Sequence, residues 1–232
     1  MGKPIMSTLV ADKKNLKPLG IIIAAFYIVL ALYSLVLLAF FLGSLLGGVF
    51  PESLSIGKIV PSVFDILWTI TSVMLMIWFV LMKGHINNGA RVVAIIGLSL
   101  LIVLDIFATI TNICFTPEER GTILYSNELY TDINTFFSFA NMILIGVAFI
   151  VMSRRFGKGI CSWAMANGII RLIQALVFTI IIASNYILPP LVPYERLISV
   201  HQFNNALTRV LLLANYITII IFFFKFSLKE DE

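Results

Sequence analysis

Charge is what this sequence has least of. Only 12% of its 232 residues are Asp, Glu, Lys or Arg, whereas 60% are apolar; a soluble domain carries about 25% charged and roughly 45–50% apolar residues. So little polar surface does not cover a water-soluble globule. A soluble enzyme domain, a disordered chain and a nucleic-acid-binding module are excluded together. Cysteine is scarce too, with only Cys114 and Cys161, which excludes a disulfide-built scaffold. The 14 glycines and 8 prolines are too few for a collagen-like chain. No segment alternates polar and apolar residues for long enough to form the strands of an outer-membrane barrel.

What the chain does have is long apolar runs. Six lie near 20–42, 60–82, 92–115, 134–153, 169–188 and 206–224, and a helix needs about 20 residues to cross hydrocarbon. Pro51 and Pro61, Lys83-Gly84-His85, Thr116-Pro117, Arg154-Arg155 and Pro189-Pro190 punctuate them. The fold class expected is an all-α integral membrane protein, a single-domain bundle of six transmembrane helices. The first run lacks the pattern of a cleaved leader and reads as a retained span.

Basic residues set the orientation. Lys3, Lys13, Lys14 and Lys17 precede the first run, Lys83 and Arg91 flank the second loop, and Arg154, Arg155, Lys158 and Arg171 flank the fourth. Lys225 and Lys229 follow the last run. The intervening loops hold only Lys58, Arg120 and Arg196 beside Glu52, Glu118, Glu119, Glu128, Asp132 and Glu195. The positive-inside rule then places both termini in the cytoplasm of a multi-pass cell-membrane protein. The net charge of +4 is on this reading a topological signal. Cys114 falls at the outer end and Cys161 at the inner end, so they do not pair.

Ionisable residues at membrane depth are expensive, at least about 2.5–3.5 kcal/mol each on insertion scales, and are a functional pointer by default. Counting about 1.5 Å per residue from the inner basic anchors puts Asp65, Asp105, Asn141 and Arg209 in one layer, roughly 20–27 Å deep. Helical spacing extends the layer: Ser62, Asp65, Thr69 and Ser72 share a face, as do Asp105, Thr109 and Asn112, and Asn134, Ser138 and Asn141. Asn205, Thr208, Arg209 and Asn215 group on the last span. Spans two, three, four and six are therefore expected to line an outward-facing polar pocket. The candidate residues are Asp65, Asp105, Asn141, Arg209, Thr69, Thr109, Asn112 and Asn205. Two acids against one guanidinium leave one acid over after Asp105 pairs with Arg209, to take up a proton or hold a cation. Span one looks peripheral, Arg171 and Gln174 look like boundary residues, and 157–168 looks like a surface segment anchored by Trp163.

Several chemistries are missing. Phe64-Asp65 and Leu104-Asp105 lack the Tyr-Asp and Gly-x-Gly-Asp of intramembrane aspartyl proteases. Asn88-Gly89-Ala90-Arg91 through Asp105 lacks the leading aspartate and spacing of CDP-alcohol phosphotransferases. No His-Glu-x-x-His, Gly-x-Ser-x-Gly or Walker A sequence occurs. His85 and His201 fall on opposite sides, so they do not share a metal. No catalytic residue, metal or cofactor is expected. The echo between Asn88-Gly89-Ala90-Arg91 and Asn167-Gly168-Ile169-Ile170-Arg171 invites comparison of their structural positions. The leading expectation is a protein that binds or translocates a small solute, ion or proton. The alternative is a non-catalytic accessory or assembly protein whose charges are a structural lock. It would contact a membrane partner through Gly43-x-x-x-Gly47 on span one. An intramembrane enzyme ranks below both.

Overall fold

A computed structural model describes residues 13–45, 59–115, 128–187 and 194–226. They form six helices: α1 (Lys13–Leu45), α2 (Ile59–Leu81), α3 (Asn88–Cys114), α4 (Glu128–Ser153), α5 (Lys158–Ile187) and α6 (Tyr194–Lys225). Each contains a stretch of 19 to 25 residues long and apolar enough to cross a membrane. This is the architecture of a multi-pass membrane protein.

Each helix packs against its neighbours in sequence, and α1 closes on α6; among the described residues no other pair of helices is in backbone contact. The result is a ring of six. Its sense alternates, because Trp78 near the end of α2, Phe149 and Phe156 at the end of α4, and Phe222 and Phe226 at the end of α6 meet in one cluster. Gly20, early in α1, lies against Phe223 in the same region. That end also carries Lys83, Arg91, Arg154, Arg155 and Lys225, and is called the basic end below.

The ring's exterior is apolar and much of its polar surface is turned inward. Leu32, Val103, Phe136, Leu176 and Ile180 are 58 to 63% exposed, while Asn141, Asn167, Arg171 and Asn215 are 5% exposed or less. In water so broad an apolar surface would be an aggregation hazard. In hydrocarbon it is the arrangement that satisfies both solvent and backbone. Lipid tails are as apolar as leucine, so burial alone does not hold such helices together; close packing and interhelical polar contacts do.

Two elements supply that packing. At the basic end the Trp78 ring meets Phe79, Phe222, Phe223 and Phe226 with centroids 5.2 to 5.8 Å away and near-perpendicular planes. Such edge-to-face pairs contribute about 0.5–1.5 kcal/mol each beyond area burial. Between α4 and α5 the backbones touch at Gly146 and Gly168, where a Cβ on Gly168 would stand 2.6 Å from the Gly146 carbonyl oxygen. Only glycine permits that approach.

Two expectations about the elements are corrected. Helix α5 starts at Lys158 and its apolar stretch runs Gly159–Ala183, so 157–168 is its first part and not a surface segment. The polar residues Lys158, Ser162 and Asn167 had masked an apolar helix whose Ile160, Ala164 and Asn167 face the core. Span one is not peripheral: α1 makes the most extensive of the helix interfaces, with α6, and buries Leu16, Ile23, Ala24, Tyr27 and Leu30. The two Asn-Gly echoes are not equivalent either. Asn87 caps α3, accepting from Gly89 N at 2.8 Å and Ala90 N at 3.3 Å beside an exposed Asn88, whereas Asn167 is fully buried inside α5.

Candidate functional site

Starting α5 at Lys158 places Arg171 thirteen residues into the helix, about 20 Å from its basic end. Arg171 therefore stands at the middle of the apolar stretch Gly159–Ala183 and not at its edge. It shares a helical face with Asn167 and Gln174, at spacings of four and three residues. Its Nε donates to Asn167 Oδ1 at 3.2 Å, and its guanidinium lies beside the Tyr27 and Tyr216 phenols.

Asn167 is the hub. Its Nδ2 points at Asn215 Oδ1 (2.8 Å), Thr218 Oγ1 (3.0 Å) and the Asn215 carbonyl (3.1 Å). Asn215 Nδ2 in turn donates to Gln174 Oε1 at 3.0 Å. The network joins α1, α5 and α6, and every member is buried. Full satisfaction matters here, since a buried polar group left unpaired costs about 1–3 kcal/mol.

An aromatic triad carries the polar core across the ring. Tyr27 of α1, Trp68 of α2 and Tyr216 of α6 stand with ring centroids 5.5 to 6.5 Å apart. The Trp68 indole stands beside the Asp105 carboxylate, which also faces the charge of Asp65. Asp105 Oδ2 is buried and has no partner among the described residues.

Beside the triad, α1, α2 and α6 line a partly open cavity of about 180 Å³, bounded by Tyr33, Ser34, Asp65, Trp68, Arg209 and Tyr216 among others. At about 30 Å³ per liquid water, it has room for about six waters or one small solute. Tyr33 and Phe64 stack at 3.7 Å to make one wall. The cavity lies farther from the basic end than the aromatic cluster, because Trp68 precedes Trp78 by ten residues on α2, about 15 Å.

Of the residues expected from the sequence, Asp65 and Arg209 line this one cavity. Asp105 sits against Trp68 and Asp65, while Arg209 lines the cavity with Tyr216. Thr69 donates to the Asp65 carbonyl at 3.0 Å and so ties its hydroxyl to its own helix. Thr109 Oγ1 is buried without a partner among the described residues. Asn141 is buried at 4% exposure, and Asn205 is half-buried. The side chains of Ser62, Asn112 and Asn134 lie outside the described residues, as does Gly47 of the Gly43-x-x-x-Gly47 stripe. Span one supplies cavity walls through Tyr33 and Ser34.

No family model, curated protein or solved structure matches the chain. The site has to carry the functional reading by its own chemistry. Arg171 adds a second guanidinium to the charges expected at this depth, and it bonds Asn167 rather than an acid. The signal that reveals Arg171 was legible as the stripe Asn167, Arg171, Gln174. It was hidden by placing the start of the span too late.

Proposed function

We propose that this chain is a cell-membrane protein with both termini cytoplasmic that binds and translocates a small polar solute or ion through the cavity between α1, α2 and α6. The observation that carries the reading is a cavity at membrane depth lined by a carboxylate, Asp65, and a guanidinium, Arg209, inside a ring whose outer surface is apolar. Intramembrane ionisable groups facing a void are a functional pointer by default, because their insertion is costly. The aromatic cluster at the basic end supports a one-sided pocket, since Trp78, Phe79, Phe222 and Phe223 are all fully buried between the cavity and that end. By the positive-inside rule the basic end is cytoplasmic, so the pocket faces outward.

Water access is the decisive test. In a variant lacking Cys114 and Cys161, Leu212→Cys places a thiol in the cavity wall and Leu176→Cys places one on the 61% exposed lipid face. A small charged thiosulfonate added outside intact cells should modify the first and spare the second. If Leu212→Cys resists the reagent from both sides, the cavity is dry. The charges then serve as a structural lock in an accessory protein.

A further inference from the structure

Among the described residues, Ser34 is the orphaned hydroxyl of the cavity lining. Six other hydroxyls on these helices bond their own backbone: Thr69, Thr71, Ser99, Thr179, Thr208 and Thr218 each donate to the carbonyl four residues earlier, at 2.7 to 3.0 Å, the usual local bond of a helical Ser or Thr; Thr109, away from the cavity, shares the orphaned state. Ser34 is 1% exposed, its Oγ has no partner among the described residues, and it lines the same cavity as Asp65 and Arg209. Buried polar atoms are almost always hydrogen-bonded, and an orphan calls for an explanation.

We infer that the cavity takes a small zwitterion, a solute carrying one carboxylate and one ammonium group. This rests on the cavity being a solute pocket, and it names the class of solute. Arg209 and the Ser34 hydroxyl offer donors to the carboxylate, and a guanidinium is the side chain best matched to that group. Asp65 accepts from the ammonium, or attracts it where it carries no proton. The rings of Trp68 and Tyr216, on the same wall, offer π faces to a cation. Size agrees, since about 180 Å³ admits one molecule of a few heavy atoms.

Charge balance selects against the halves of such a molecule. Among the described lining residues the charged side chains are one carboxylate, Asp65, and one guanidinium, Arg209. A lone cation or anion would bring uncompensated charge to membrane depth, where it is costly. A zwitterion brings none and meets both groups. Primary ammonium and quaternary ammonium zwitterions share this chemistry. Asp65 favours the first through hydrogen bonds, and the aromatic wall favours the second.

The test measures protection of the Leu212→Cys thiol from the external reagent, in the full-length chain in membranes. The probes are L-alanine, trimethylglycine, acetate, methylammonium and urea. At least one of the first two should slow modification about tenfold at saturation, while the other three leave it unchanged. Ser34→Ala should raise the half-protecting concentration about tenfold, the loss of one hydrogen bond to a charged group. Arg209→Gln should erase the advantage of the zwitterion over methylammonium. If Leu212→Cys reacts but acetate or methylammonium protects as well as the zwitterions, or nothing protects, the zwitterion assignment is overturned and the water-filled cavity stands. If Leu212→Cys does not react at all, the cavity reading falls and this inference with it.

Discussion

Arg171 is held at membrane depth by neutral groups: the Asn167 side chain at 3.2 Å and the phenols of Tyr27 and Tyr216. Insertion of an arginine there costs about 2.5–3.5 kcal/mol, so the groups that solvate it are worth more than ordinary packing contacts. Asn167 bears the heaviest duty, because it solvates Arg171 through its oxygen and Asn215 and Thr218 through its nitrogen. Asn167→Ala should therefore cost about 3 kcal/mol, as several buried partners, one of them charged, lose their bonds at once. Arg171→Met should cost less, since it removes the expensive charge together with its bond to Asn167 and fills similar volume. Thermal unfolding in detergent, with the lipid-facing Ile169→Ala as reference (Ile169 is 45% exposed), orders the three. An Asn167→Ala protein as stable as the Ile169→Ala protein would mean the network holds nothing. The same residues show what the sequence conceals. Asp65 was legible because it stands alone in an apolar run, and Arg209 because it is a charge deep in the last one. Arg171 follows a segment with Lys158, Ser162, Asn167 and Gly168, and hydropathy alone reads such a segment as a loop.

At the scale of the helices, the number and order of spans follow from run length and from the Pro, Gly and basic breaks between them. What run length does not carry is which faces meet. Helix α1 has few polar residues, and its burial against α6 rests on shape: Gly20 admits the Phe223 ring, with a Cβ there only 2.8 Å from it. The α4–α5 contact rests on Gly146 and Gly168 in the same way. Gly168→Ala puts a methyl 2.6 Å from a backbone oxygen, which gives way far less readily than a side chain. The helices must part, at a cost of about 1–3 kcal/mol. Gly159→Ala, on the same helix with nothing within 4 Å of the new Cβ, should be neutral or slightly stabilising through helix propensity. Both are read by unfolding in detergent. Equal stability of the two variants would show that α4 and α5 are not in close register at this point. The Gly168→Ala change should also disturb the Asn167 network, one residue away, so its cost should fall when Asn167 is already Ala.

For the whole molecule, ring closure explains how one buried charge, Arg171, and three half-buried ones, Asp65, Asp105 and Arg209, coexist with a chain so poor in charge. With α1 closing on α6, each helix turns one face to a shared interior and one to lipid, and the few polar side chains collect where they serve one another. The sequence's positive-inside pattern then assigns a direction to the ring, and direction decides whether the pocket opens to the outside or to the cytoplasm. The two native cysteines report it. Cys114 ends α3 at the end opposite the basic one and is exposed, while Cys161 lies three residues into α5 at the basic end and is partly buried. A membrane-impermeant maleimide added to intact cells should modify Cys114 and leave Cys161 unmodified until the membrane is permeabilised. Cys114→Ser identifies the labelled site by abolishing the first signal. Modification of Cys161 alone would invert the ring, place Lys83, Arg154 and Arg155 outside, and turn the same Asp65/Arg209 cavity into an inward-facing one. Because the cavity's geometry is unchanged by that inversion, the ligand chemistry argued for Ser34, Asp65 and Arg209 would survive it, and only the side from which the solute enters would change.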